Sequence, residues 1–151
     1  MVHLNSKQRL YSSLLFLGAC ILLFRTITMI VQGYLGVFVI WVSVLLMAEF
    51  LVDLGCAAFS VVWWISNDAR KDKIPLRLGT AAAILHAIRV LIYVVGRIGS
   101  SNNFDIKPEY HSSSYAHWEI GWVYFASIMS ILGLIGVVII WQYRQRAKKT
   151  T

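Results

Sequence analysis

Ionisable side chains interrupt the long apolar stretches of this sequence, and their chemistry is the most informative feature of the chain. Five of them lie among runs of Leu, Ile, Val and Phe: Arg25, Glu49, Asp53, His86 and Arg89. Placing one such group in hydrocarbon costs at least ~2.5–3.5 kcal/mol, so each needs a partner or a function. Buried carboxyl and imidazole groups can also exchange protons. The residues therefore predict internal ion pairs, or a binding site or path for protons, ions or a charged solute.

The spacing of these residues places them on single helical faces. In the second apolar stretch, Glu49, Asp53, Cys56 and Ser60 recur with the period of one face of an α-helix. The third stretch carries a matching stripe of small and polar residues: Gly79, Ala82, His86, Arg89, Tyr93 and Gly96. We expect the two stripes to face each other near the middle of the structure, so that Glu49 and Asp53 meet His86 and Arg89.

The elements that must position these residues are membrane-spanning helices. The chain has 151 residues, of which 58% are hydrophobic and 14% are charged, whereas a soluble domain has ~45–50% apolar and ~25% charged residues. This composition excludes a soluble enzyme and a disordered chain. Four stretches are long enough to cross ~30 Å of hydrocarbon: residues 10–31, 35–65, 76–98 and 118–143. They predict one all-α domain, an antiparallel four-helix transmembrane bundle with a long loop at residues 99–117.

Two further patterns bear on how the spans pack. The second stretch is longer than a bilayer requires, so we expect it to tilt, to bend near Gly55, or to carry Trp63 and Trp64 into the head groups. Small residues mark faces where membrane helices approach closely. Such residues line one face of the first stretch at Gly18, and of the fourth at Ala126, Ser130 and Gly133.

Lys and Arg are unevenly distributed between the two sides of the bilayer. They concentrate in the N-terminal segment, the 67–77 connection and the C-terminal segment, whereas the opposite side has only Lys107 and Arg97. The positive-inside rule therefore predicts that both termini are cytoplasmic. The same flanking residues account for the net charge of +7, so no nucleic-acid partner is expected. The absence of a targeting motif favours the plasma (inner) membrane of a prokaryote.

The first apolar stretch is expected to remain in the protein. Lys7 and Arg9 precede an apolar run, as in a signal peptide, but the sequence stays apolar beyond Cys20 as far as Val31. An uncleaved first span is therefore the better interpretation. Cys20 and Cys56 lie singly within apolar segments, which favours ordinary buried residues over thiol chemistry.

No metal or catalytic site is predicted. Asp105, Glu109, His111 and His117 crowd the long loop, but their spacing matches no known ligand pattern. Arg97 and Glu119 lie near the same ends of their spans and are expected to form an ion pair.

No cofactor is predicted either. Haem bound by two histidines would need a second chain, because His86 is the only histidine deep within a span. Haem and quinone are not excluded, and a quinone site near His86, Arg89 and Tyr93 stays open as an alternative.

Three functions remain, in this order of preference. The first is a non-catalytic accessory or oligomeric membrane subunit, with the bilayer and other subunits or further copies of itself as partners. The second is a small transporter or channel that moves protons, ions or a charged solute past Glu49, Asp53 and His86, with Arg25, Arg89 and Tyr93 beside them. The third is a quinone-, haem- or lipid-binding enzyme or electron-transfer anchor, for which the sequence lacks a convergent catalytic set.

Overall fold

The computed structural model describes residues 2–66, 69–97, 103–111 and 121–149, and in these residues the protein is all-helical. The main elements are α1 (Val2–Val31), α2 (Ile40–Ile65), α3 (Lys73–Arg97) and α4 (Gly121–Lys149). Short 3₁₀ turns lie at Tyr34–Val37, Ala69–Asp72 and Pro108–Tyr110. Each of the four helices contains a segment long and apolar enough to cross a membrane. The predicted all-α bundle of four membrane spans is confirmed.

The second span is shorter than the sequence suggests. It was expected to begin at Leu35, but α2 begins at Ile40, and the extended residues Phe38 and Val39 separate it from the 3₁₀ turn. The turn itself follows Gly33, whose φ of 75° is a left-handed conformation that glycine adopts without strain. Because residues 35–39 are not part of it, α2 has 26 residues. It passes Gly55 as one continuous helix.

The first and fourth helices extend beyond their predicted bounds. The structure begins α1 at Val2 and continues α4 to Lys149. Hydropathy detects the boundary where polar residues begin, but a helix can continue into water or along its neighbours. In α1, the polar residues Gln8 and Ser12 are buried because their side chains donate hydrogen bonds to carbonyl oxygens of α2.

Small residues bring α1 and α4 close together. A Cβ atom added to Gly133 would lie 2.9 Å from the backbone nitrogen of Leu15, and one added to Gly136 would overlap the ring of Tyr11. Gly18 packs in the same way against Ala126 and Ser130. The small-residue faces expected from the sequence therefore form the contact between the first and last helices.

The bundle has two distinguishable ends. Gln8 of α1 and Arg144 of α4 are joined by a hydrogen bond, so the beginning of α1 and the end of α4 lie at one end of the bundle, which we call the terminal end. The opposite end, called the loop end, contains the 34–37 turn and the described part of the long loop, residues 103–111. Large apolar side chains on all four helices are exposed outward, among them Phe24, Leu51, Ile84 and Ile139.

Candidate functional site

Four ionisable side chains of α2 and α3 meet inside the bundle and form what we call the central cluster: Glu49, Asp53, His86 and Arg89. Arg89 Nη1 donates a hydrogen bond to Glu49 Oε2 across 2.7 Å. His86 Nε2 lies 3.0 Å from Asp53 Oδ1 and 3.6 Å from Glu49 Oε1. The imidazole therefore stands between two carboxylates, of which one is also bound by a guanidinium group.

Helix periodicity explains why these four side chains converge. Glu49 and Asp53 are one turn apart on α2, and His86 and Arg89 are three residues apart on α3, so each pair shares a face. The connection between the helices is short, which makes them antiparallel neighbours. Glu49, Asp53 and His86 are each 1% exposed and Arg89 is 9% exposed. The central cluster is therefore almost entirely buried within the bundle.

The first helix contributes a second positive charge near the central cluster. Arg25 of α1 lies within electrostatic range of Arg89, Glu49 and Tyr93. Arg89 also directs Nη2 toward the sulfur of Met29, another α1 residue, at 3.7 Å. Two guanidinium groups thus accompany two carboxylates in a medium where unbalanced charge is costly. With a neutral His86, the interior is electrically balanced.

Two polar atoms of the central cluster have no hydrogen-bond partner among the described residues. These atoms are Oε1 of Glu49 and Nδ1 of His86. Leaving a buried polar atom without a partner normally costs ~1–3 kcal/mol. Pairing of Glu49 with Arg89 satisfies only Oε2, so Oε1 remains able to accept a proton or a hydrogen bond from His86.

Glu49, Asp53 and His86 also offer atoms that could bind a metal ion. One ligand atom from each of Glu49, Asp53 and His86 lies within 4.8 Å of the others, which is a spacing that a cation could bridge. The two guanidinium groups already neutralise both carboxylates, however, and a divalent ion would add two uncompensated charges at low dielectric. A proton adds only one charge, so the central cluster is better suited to a proton.

Haem ligation would require a free imidazole nitrogen that faces open space. His86 Nε2 instead faces the two carboxylates, and although Nδ1 has no hydrogen-bond partner among the described residues, the ring as a whole is only 1% exposed. This enclosure disfavours His86 as an axial ligand. Tyr93 is half-buried on the same face of α3, about two turns from His86 toward the loop end.

The described part of the long loop packs against the bundle. Val39 donates its backbone N–H to the carbonyl oxygen of Asp105, and Lys107 donates to that of Val37. Ile106 and Asp105 are buried as a result. The rings of Trp41 and Phe104 stack with centroids 6.1 Å apart. The carbonyl oxygen of Val37 and the backbone N–H of Val39 take no part in helical hydrogen bonds, and the loop supplies their partners.

Asp105, Glu109 and His111, the described residues of the loop that were considered as metal ligands, do not form a group that could hold a metal ion. Glu109 is exposed, and His111 Nε2 forms a hydrogen bond with the carbonyl oxygen of Ile106. The side chain of Arg97, together with His117 and Glu119, lies outside the described residues, so the expected Arg97–Glu119 ion pair stays a prediction.

A second polar network, which the sequence analysis missed, joins the helices at the terminal end. Its members are Gln8, Trp63, Asp72 and Arg144, and we call it the terminal network. Asp72 Oδ1 accepts hydrogen bonds from Trp63 Nε1, at 2.8 Å, and from Arg144. Gln8 accepts a hydrogen bond from Arg144 at 2.6 Å and donates to the carbonyl oxygen of Trp63. These contacts connect α1, α2, α4 and the 69–72 turn.

Two signals could have indicated the terminal network. Asp72 is an isolated carboxylate within a basic connection, where Arg70, Lys71 and Lys73 surround it. Trp63 was one of two tryptophans expected to reach the head groups, but its side chain is fully buried and Trp64 is the exposed one. A buried indole N–H requires an acceptor, and Asp72 supplies it.

Comparison with protein-family models, curated proteins and solved structures finds no match to this chain. Functional inference therefore starts from the chemistry of the central cluster and of the surfaces around it.

Proposed function

We propose that this protein is a small membrane transporter that moves protons through the bilayer by way of Asp53, His86 and Glu49. The observation that supports this proposal is the position of His86 Nε2, which is 3.0 Å from one carboxylate and 3.6 Å from the other. An ion pair whose only role is to fix helix register would need Glu49 and Arg89 alone. The additional histidine and carboxylate are costly in hydrocarbon unless they have a use.

The proton step requires no other reactant. A proton held between Asp53 and His86 resides on either Oδ1 or Nε2, because the two atoms are already at hydrogen-bond distance. A small rotation of the imidazole directs Nε2 toward Glu49 Oε1, where the N–H bond breaks as an O–H bond forms. Glu49 is one helical turn from Asp53, and one carboxylate oxygen of each lies within 4.8 Å of the other, so this exchange moves the proton over a distance of that order toward the loop end.

Polar groups continue from the central cluster toward both ends of the bundle. On the terminal side, Cys56 and Ser60 follow Asp53 along the buried face of α2, and Ser12 Oγ donates a hydrogen bond to the Ser60 carbonyl oxygen. On the loop side, Arg25 and Tyr93 follow Arg89. A column of this kind is what a proton path needs, whereas a purely structural bundle is generally more stable with apolar packing.

The charges around His86 favour transfer of a single proton. The charged groups of α2 and α3 around the imidazole are Glu49, Asp53 and Arg89. Cys56 lies about one turn beyond Asp53 on α2, and Tyr93 lies about one turn beyond Arg89 on α3. From α1 comes Arg25, and α4 supplies no Asp, Glu, His, Lys or Arg between Gly121 and Tyr143. One extra proton raises the net charge of the interior by one, and the fixed guanidinium charges oppose a second.

The orientation belongs to the proposal as well. The distribution of Lys and Arg supports a cytoplasmic terminal end and the plasma membrane of a prokaryote as the site of action. Asp53 would then lie on the cytoplasmic side of His86, and Glu49 on the outer side.

A non-catalytic accessory subunit is the second candidate. It is supported by the neutrality of the interior and by the terminal network, because both allow every buried charge a structural role. The two candidates differ in one measurable property, because only the proposed transporter needs protons to cross the membrane.

Reconstitution tests the proposal. The purified protein is placed in liposomes that contain a pH-sensitive dye, and a potassium gradient with valinomycin provides the driving potential. We expect proton uptake above that of protein-free liposomes, and we expect Asp53→Asn and His86→Gln to reduce it to that background. Glu109→Gln is the matched control, because Glu109 is an exposed carboxylate at the loop end.

The outcomes separate the two candidates. If the wild-type protein gives no uptake above protein-free liposomes, transport is wrong and the accessory role is favoured. If Asp53→Asn and Glu109→Gln both give the same proton uptake as the wild-type protein, protons cross elsewhere. The central cluster is then not the path. Thermal unfolding of each variant in the same lipid verifies that it is folded.

A further inference from the structure

A groove between α1 and α2 near the terminal end combines apolar walls with hydroxyl groups and a positive charge. Its cavity volume is about 140 Å³. The lining side chains are Ser12, Ser13, Phe16, Ser60, Val61 and Trp64. The groove is separate from the central cluster and makes no contribution to the proposed proton path beyond sharing Ser12 and Ser60.

The rim of the groove carries a cation held in place by an aromatic ring. The guanidinium carbon of Arg9 lies 5.1 Å from the centroid of the Trp64 ring, a cation–π distance. Stacking leaves the N–H groups of a guanidinium at the edge of its plane, where they can bind phosphate oxygens. Arg9 is exposed, and exposed Lys7, Lys71 and Lys73 lie at the same end of the bundle.

Below the rim, the groove presents hydroxyl groups to its interior. Ser12 and Ser60 are buried, whereas Ser13 is exposed and its Oγ donates a hydrogen bond to the carbonyl oxygen of Arg9. Phe16, about one turn further along α1, and Val61 of α2 make the rest of the groove apolar.

These layers occur in a defined order along α1. Arg9 comes first, Ser12 and Ser13 lie about one turn deeper, and Phe16 lies about one turn deeper again, at 1.5 Å per residue. A glycerophospholipid has the same order of groups from its surface inward: an anionic phosphate, ester carbonyls that accept hydrogen bonds, and an acyl chain.

We propose that the α1–α2 groove is a binding site for an anionic phospholipid. The phosphate binds Arg9, the glycerol ester region lies beside the polar serine layer, and the upper part of one acyl chain packs against Phe16 and Val61. Arg9, held against Trp64 at the rim of the groove, selects anionic over zwitterionic head groups, because basic side chains attract acidic lipids.

Native mass spectrometry of the full chain in mild detergent tests this proposal. The probes are phosphatidylglycerol and phosphatidylcholine with identical acyl chains, and the measurement is the fraction of protein that carries one lipid. We expect phosphatidylglycerol to bind about tenfold more tightly, because the choline ammonium group of phosphatidylcholine cancels most of the attraction between its phosphate and Arg9. Arg9→Gln should remove this preference, and Ser13→Trp should fill the groove and reduce binding of both lipids.

Lys7→Gln is the matched control, because Lys7 is another exposed basic residue of α1 that does not line the groove. Equal binding of the two lipids by the wild-type protein would overturn the proposal. So would an equal loss of preference in Lys7→Gln and Arg9→Gln, which would indicate diffuse attraction. Undiminished lipid binding by Ser13→Trp would show that the lipid lies elsewhere. Both variant positions are exposed, so neither substitution removes a buried contact.

Discussion

Arg89 Nη1 donates a hydrogen bond to Glu49 Oε2 across 2.7 Å, and this contact joins α3 to α2 in the buried interior of the bundle. Neither side chain could be left alone at this depth without a large desolvation cost. The contribution of each residue to the stability of the bundle therefore depends on the other, and a double-variant cycle can measure this coupling.

The first prediction is that Glu49→Gln and Arg89→Leu are coupled. Each single change leaves a buried charge without its partner, which costs ~3–5 kcal/mol in a soluble core but often less than ~1 kcal/mol in membrane proteins. We expect the double variant to be more stable than the sum of the single effects predicts. Thermal unfolding in the same detergent completes the cycle, and strictly additive effects would mean that the two side chains do not pair.

The second prediction concerns the contact between α1 and α4. Gly133→Ala places a methyl group 2.9 Å from the backbone nitrogen of Leu15, so the helices must separate. We expect a loss of about 1–3 kcal/mol, as for other overpacked interiors. The matched control is Gly36→Ala, because nothing lies within 4 Å of a Cβ atom at Gly36. Equal unfolding temperatures for the two variants would contradict the close approach.

The third prediction concerns the terminal network. Asp72→Asn removes the negative charge that accepts hydrogen bonds from Trp63 and Arg144, and the Arg144 side chain is only 11% exposed. We expect a loss of unfolding free energy of ~3 kcal/mol or more, as when one partner of a buried pair is removed. Lys71→Gln, at an exposed neighbouring position, should stay within about 0.5 kcal/mol of wild type. A similar effect of both changes would rule out a specific role for Asp72.

The fourth prediction concerns orientation. In a background with Cys20→Ala and Cys56→Ala, Ser113→Cys should react with a membrane-impermeant maleimide in intact cells, whereas Ala69→Cys should react only after lysis. The distribution of Lys and Arg is the physical reason. The opposite labelling pattern would reverse the sidedness and exchange the proposed cytoplasmic and outer sides of the proton path.

Much of the fold follows from local features of the sequence. The four spans are long apolar stretches, and the polar stripes of α2 and α3 follow helix periodicity over a few residues. The connection between α2 and α3 is short, so the sequence also predicts that these two helices are neighbours. Pairing of stripes at one depth then brings Glu49 close to Arg89.

Other features depend on contacts between distant residues, and no local pattern specifies them. Gln8 and Arg144 are separated by nearly the whole chain, yet they share a hydrogen bond. The late start of α2 depends on loop residues that pair with the backbone of Val37 and Val39. Hydropathy treats the apolar residues 35–39 as part of a span, because it contains no information about that pairing.

The most direct test of the shared proton is ¹⁵N nuclear magnetic resonance of His86 in lipid bilayers. Comparison with His86→Gln assigns the signal among the 4 histidines of the chain. We expect the Nε2 chemical shift of the wild-type protein to indicate a proton shared with Asp53, because the two atoms are 3.0 Å apart, and we expect Asp53→Asn to change that shift while Glu109→Gln leaves it unchanged. An Nε2 resonance that is identical in the wild-type protein and in Asp53→Asn would contradict a proton shared between His86 and Asp53.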